Sequence, residues 1–257
     1  AQTIGMPTVA DYAERFGIVD ELPEVLSMSL GAAETTVMRL TAAYAELVNG
    51  GKKITPTLID RIQDRRGNVI YRRDERDCAQ CQDVAFRNQM PPDLPDTREQ
   101  LTDPASAFQM VHIMEGVVSR GTGRTIAELG YPLAGKTGTT NDSRDAWFVG
   151  FSPDLAVGVY VGFDDNRSLG DKEQGASAAA PIWKEFMRGA LAGTKAIPFR
   201  TPPGIRMVRV EARTGIPARP GDKDVIWEAF KPGTIPASND NVIDGGYNEF
   251  GGSDSGN

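Results

Sequence analysis

Only three residues, Ser152-Pro153-Asp154, separate the strand-like apolar segments Ala146–Phe151 and Leu155–Phe163. A connection that short joins strands only as antiparallel neighbours, because a parallel crossover takes about a dozen residues. The chain must therefore contain an antiparallel sheet, with everything else arranged around it. Just upstream, Leu133–Asn141 is β-branched and extended in pattern, which predicts a further strand over Thr137–Asn141, antiparallel to Ala146–Phe151.

Helical patterns flank this sheet. Val37, Leu40, Thr41, Tyr44 and Leu47 recur at helical spacing before an Asn49-Gly50-Gly51 stop. Asp103-Pro104 reads as an N-cap with proline at the first helical position, followed by a stripe of Ala107, Met110, Val111, Met114, Val117 and Val118. Ala179–Leu191 presents Ile182, Trp183, Phe186, Met187 and Ala190 on one face and is expected to cover the sheet. A shorter helix is expected around Val9, Tyr12, Ala13 and Phe16, and a hairpin across Gly67-Asn68. The fold class is α+β, an antiparallel sheet flanked by helices. Residues 1–195 read as one domain with an exposed insertion over 74–101. Residues 196–257 read as a Pro/Gly-rich extension with a short strand pair near Arg206–Arg213 and a disordered end, Gly245–Asn257.

Composition removes several functions. With 28 Lys+Arg against 35 Asp+Glu the net charge is −7, so no nucleic-acid partner is expected. The longest strong apolar run, Leu155–Phe163, falls short of the ~18 residues of a membrane helix. Two cysteines and one histidine cannot supply a zinc set of about four ligands, and neither metal nor cofactor is expected. His112 is the only histidine a Ser-His-Asp triad could use, and its place beside an apolar stripe favours a structural role. Cys78-Ala79-Gln80-Cys81 admits a disulfide, free thiols or a redox pair. The exposed polar surroundings favour a Cys78–Cys81 disulfide in an oxidising compartment. The opening Ala1-Gln2-Thr3-Ile4 has neither initiator Met nor a signal-peptide pattern, and suggests a fragment or processed product.

Gly130–Thr137 matches the phosphate-loop pattern G-x-x-x-x-G-K-[ST], and Asp164-Asp165 after an apolar strand imitates a magnesium site. A phosphate cradle needs a strand before it and a helix directly after it, and Thr137-Gly138-Thr139-Thr140 cannot begin a helix. Read as strand, the same residues carry different chemistry. Thr137 and Thr139 project from one face, a spacing suited to a carboxylate, with Lys136 adding positive field. Gly138 within the strand marks close approach of another backbone or a ligand.

The run from Ala134 to Asp142, leading into Asp145-Ala146-Trp147-Phe148-Val149-Gly150-Phe151-Ser152-Pro153, closely resembles the transpeptidase domain of class A, 1A-type penicillin-binding proteins. Ser29-Leu30-Gly31, Ala42–Ala45, Asn49-Gly50-Gly51, Gly67–Tyr71 and Arg120–Arg124 look similar too. The resemblance implies the penicillin-binding/serine β-lactamase-like fold and a parent that cross-links peptidoglycan stem peptides ending in D-Ala-D-Ala, through an acyl-serine that β-lactams also trap. It implies substrate binding by Lys136, Thr137, Gly138, Thr139 and Thr140, with the Thr139 N–H as an oxyanion donor. Asp142 and Asp145 fall at structural turn positions, and one of Trp147 and Phe148 is expected in the core, the other at the cleft. It further implies the periplasmic face of a Gram-negative-type inner membrane, reached through an N-terminal anchor, and a glycosyltransferase half. One departure matters. No serine here has lysine three residues later, and Ser-x-Asn occurs only at Ser255-Gly256-Asn257. The chain is thus expected to carry no catalytic nucleophile and to need the N-terminal half of its own domain. A β-lactamase-like hydrolase fragment and a non-catalytic wall-binding module are the alternatives.

Overall fold

In chain order the structure, a computed structural model describing residues 1–76, 78, 90, 94–165 and 167–236, contains α1 (Met6–Arg15), α2 (Val37–Val48), β1 (Arg61–Gln63), β2 (Val69–Arg72), α3 (Pro104–Ser119), β3 (Ala134–Thr139), β4 (Asp145–Phe151), β5 (Ala156–Gly162), α4 (Ala180–Ala190), β6 (Arg206–Glu211) and β7 (Val225–Phe230). They fall into two units, Ala1–Arg200 and Thr201–Asn257.

The first unit is built on the antiparallel sheet β3-β4-β5, in which Thr137 stands opposite Phe148 and Trp147 opposite Tyr160. One sheet face is closed by α4. Trp183 is 0% exposed, its ring lies edge-on to Phe148 at 5.1 Å, and its indole N–H donates to the Val157 carbonyl at 3.0 Å. Met187, Ile126 and Leu133 complete this core. The other face meets α2, where Tyr44 packs edge-on to Phe151 at 6.4 Å. Gly158 makes that contact possible, because a Cβ there would strike the Thr41 hydroxyl and lie 3.1 Å from Val37 Cγ1.

Caps form where the sequence places them. Thr36 Oγ1 accepts the Arg39 N–H at 3.1 Å, and the Asp103 carboxylate accepts the Ser106 N–H at 3.1 Å with Pro104 opening α3. Helix faces differ in detail. Met110, Ile182 and Phe186 are exposed rather than buried, and Phe108 is buried instead. On α4, residues 182/186 and 183/187 form neighbouring apolar diagonals, and only the second meets the sheet.

The expected insertion, 74–101, lies largely outside the described residues; at its far end residues 95–100 are exposed and Leu101 is buried. The Lys53 N–H donates to the Glu99 carbonyl at 2.9 Å, and Leu101 is 1% exposed against Phe16 and Ala43. An unforeseen acid sits nearby. Glu46 is buried on α2, where its Oε1 accepts the Ile54 N–H at 3.0 Å, and burial raises its pKa despite that bond. Cys81 and the end expected to be disordered, 245–257, lie outside the described residues.

In the second unit β6 pairs antiparallel with β7, and Val210, opposite Ile226, is buried. The expected pair near Arg206–Arg213 thus has its first strand there and its partner at Val225–Phe230. Among the described residues no helix is long and apolar enough to cross a membrane.

Candidate active site

Lys136 and Thr137 lie in the middle of β3, with no helix following them. That removes the nucleotide reading of Gly130–Thr137, because no helix N-terminus is present to receive a phosphate. The strand ends at Thr139, two residues before the expected limit. Asn141–Ser143 forms a 3₁₀ turn, and Asp142 takes up a left-handed conformation with φ 59°. The Asp145 N–H donates to Thr140 Oγ1 at 2.8 Å, closing the turn, while Ser168 Oγ donates to the Asp142 carbonyl at 2.7 Å. The hydroxyl of Thr140 thus serves the turn. Asp142 lies in the turn, and Asp145, the first residue of β4, closes it.

Within the described residues β3 is the edge of its sheet and pairs only with β4. Its side chains alternate. Lys136 and Gly138 share a face with Val149 and Trp147, whereas Thr137 and Thr139 share the opposite face with Phe148 and Ala146. Lys136 is exposed and its ammonium donates to the Thr137 carbonyl at 2.8 Å. Thr137 Oγ1 lies 3.1 Å from Thr122 Oγ1, and Thr139 Oγ1 accepts the Gly175 N–H at 3.0 Å. Gly138 and Gly175 are pressed together. A Cβ on Gly175 would collide with the Trp147 carbonyl and sit 2.6 Å from the Gly138 carbonyl oxygen. The Gly175–Ala179 π-turn that begins there leads directly into α4.

Beside this strand opens a cleft of about 860 Å³, bordered by Lys136–Thr140, by Trp147 and Tyr160, and across from them by residues 28–37 and Leu40. Trp147 and Tyr160 meet at 4.8 Å between ring centroids. Phe148 is the buried partner of the expected pair, and Trp147 lines the cleft. Desolvation, and then the charges of Asp145 and Asp164, raise the Tyr160 pKa. His112 does not border the cleft. It stacks on Phe108 at 6.3 Å, with Nδ1 3.3 Å from Glu115 Oε2. The arrangement offers a ligand an open strand edge, one ammonium, hydroxyl groups and an aromatic wall.

A model of the penicillin binding protein transpeptidase domain matches residues 2–188. The chain belongs to this family. Penicillin-binding protein 1A of Rickettsia prowazekii is 41% identical over 251 residues, covering 95% of this chain and 31% of that protein. The Neisseria gonorrhoeae protein of the same name is 40% identical over 205 residues, 79% of this chain and 24% of its own. The chain therefore spans about a third of the length of its rickettsial relatives. Penicillin-binding protein 1A from Haemophilus influenzae superposes with a TM-score of 0.77 at 31% identity, over 92% of this chain and 38% of that one. The PonA1 protein from Mycobacterium tuberculosis in complex with penicillin V gives 0.57 at 26% identity, over 76% of this chain and 52% of that one. Family and fold class thus agree with the resemblance carried by Lys136–Asp142 and its surroundings.

Tyr160 and Gly175 were not singled out by sequence, and Thr122 was named only as part of Arg120–Arg124, with no role at the site. Tyr160 had a signal in strand alternation, since it lies opposite Trp147 across β4 and β5. Thr122 lies in the Arg120–Arg124 segment that carries part of the resemblance, but its contact with β3, 15 residues away, had no signal, and Gly175, 36 residues away, had none at all.

Proposed function

We propose that this chain supplies one wall of a peptidoglycan DD-transpeptidase site, with the nucleophilic serine provided by a part of the protein outside these 257 residues. The observation that carries the reading is Lys136-Thr137-Gly138-Thr139 on an edge strand beside an 860 Å³ cleft, in a chain of the transpeptidase family. An extended peptide adds to such an edge by main-chain hydrogen bonds. Thr137 and Thr139 receive the terminal carboxylate, Lys136 contributes charge and Gly138 admits the substrate backbone. Thr140 borders the same cleft. The Thr139 N–H is an oxyanion donor, a kind of contact worth about 3–4 kcal/mol in acyl-transfer sites.

In the reaction the serine oxygen attacks the penultimate D-Ala carbonyl and terminal D-Ala departs as the amine. An amine of a second stem peptide then displaces the serine. A β-lactam enters the same way, but its leaving nitrogen stays attached, so the acyl-serine persists. The parent acts at the periplasmic face of a Gram-negative-type inner membrane, held by an N-terminal anchor and accompanied by a glycosyltransferase half.

Lys136→Ala in the full-length protein tests this reading. Acylation by a fluorescent penicillin is expected to slow by about a hundredfold, the scale of losing one preorganised electrostatic partner. Stability is expected to shift by less than ~0.5 kcal/mol, because the side chain is exposed. An unchanged acylation rate removes Lys136 from the site.

The periplasm is oxidising, and we place a disulfide between Cys78 and Cys81 there. Protein isolated from that compartment without reductant is expected to weigh two hydrogens less than its reduced form. Two alkylatable thiols in fresh protein would refute the pairing.

A further inference from the structure

The two carboxylate-facing threonines of β3 are held differently. A hydroxyl has one proton to give and two lone pairs to receive. At Thr139 the assignment is fixed, because the Gly175 N–H can only donate and occupies a lone pair at 3.0 Å. The Thr139 proton is left for a ligand. At Thr137 the neighbour is another hydroxyl, Thr122 Oγ1 at 3.1 Å, and either can be the donor. An anion beside Thr137 takes its proton, which leaves Thr137 only as acceptor from Thr122. The two hydroxyls then form a directed chain, each bond polarising the next.

Thr122 is placed for this. It sits in the turn that ends α3, where the Gly121 and Gly123 N–H groups both donate to the Val117 carbonyl, at 3.2 and 3.0 Å. The Thr122 side chain is nonetheless exposed, so its hydroxyl has little part in packing. We propose that Thr122 is a positioning residue: its hydroxyl donates to Thr137 and turns the Thr137 proton on to the carboxylate of the bound ligand, as the Gly175 N–H does for Thr139. The inference rests on the carboxylate-binding role of β3 proposed above, and adds a residue that touches no substrate itself.

Full-length protein is assayed with a fluorescent penicillin bearing its free carboxylate and with the same compound as its methyl ester. The variants are Thr122→Val, Thr122→Ser, Thr137→Val and the double variant Thr122→Val with Thr137→Val. Thr122→Val is expected to slow acylation by the free acid by about tenfold, the scale of one hydrogen bond within a charged contact, through weaker binding rather than a slower acyl step. The ester, whose carbonyl carries no full charge, should react within twofold of the wild-type rate. Thr122→Ser should restore the acid rate, the double variant should match Thr137→Val alone, and melting temperature should stay unchanged. Equal slowing of acid and ester, failure of serine to rescue, or a wild-type acid rate in Thr122→Val overturns the inference. The two levels separate cleanly. If Thr137→Val slows the acid and Thr122→Val does not, only the positioning role fails. If Thr137→Val leaves the acid rate unchanged, the carboxylate reading of β3 fails, and the role of Thr122 falls with it.

Discussion

Incubated with a fluorescent penicillin, a polypeptide of these 257 residues is expected to run unlabelled on a denaturing gel, while the full-length protein is labelled through its upstream serine. A covalent adduct needs an activated nucleophile, and no serine in the chain is followed three residues later by lysine. What remains is the wall of the cleft. Lys136 is exposed, and solvent-screened contacts of its kind are worth ~1 kcal/mol or less each. A few such contacts do not offset the rigid-body entropy lost on association, so no complex outlasts denaturation. The expected contrast is total: a band for the whole protein and none for the chain. A labelled chain, with the adduct mapped to one of its own serines, would overturn the division of the site between two parts of the protein.

Replacing Trp183 by alanine in the full-length protein is expected to be the most destabilising single substitution in the sheet core. The indole is fully buried between α4 and the sheet, and large-to-small changes of this kind cost about 3–5 kcal/mol. The loss includes the hydrogen bond to the Val157 carbonyl, which would remain in place without that donor. The midpoint of thermal unfolding of the domain should fall by about 10 °C, given ~2–4 °C per kcal/mol at this size. Trp183→Phe, which keeps an aromatic beside Phe148, should recover part of the loss. A fall below about 2 °C for alanine would mean that α4 is not the lid of this core.

The sheet was legible because its evidence is local. The short Ser152–Asp154 connection leaves β4 and β5 one arrangement, and alternation along β4 separates Phe148 from Trp147. The end of β3 was misjudged because Thr140 and Asn141 have strand-compatible side chains, while the turn is made by hydrogen bonds from Asp145 and Ser168. The buried face of α4 was only half readable, since Ile182 and Phe186 are as apolar as the Trp183 and Met187 that won the contact. Glu46 could not be read at all. A carboxylate on a helix looks solvated until its neighbours are known, and those neighbours include Ile54, beyond the end of α2. In the candidate site, the residues proposed to meet a ligand lie together in one strand and are visible as a motif. The groups that hydrogen-bond to their hydroxyls, on Thr122 and Gly175, come from distant turns.

The open edge of β3 has a further consequence, for solubility. A strand edge without a neighbouring strand is equally available to a strand from another molecule, and proteins guard such edges with charge, lysine above all. Lys136 is exposed on that edge, the only charged side chain between Ala134 and Thr139. The lysine proposed to attract a carboxylate therefore also repels a second copy of its own strand. Under that proposal, selection on substrate handling and selection against clumping converge on a single ammonium group, and a change tolerated by one need not be tolerated by the other.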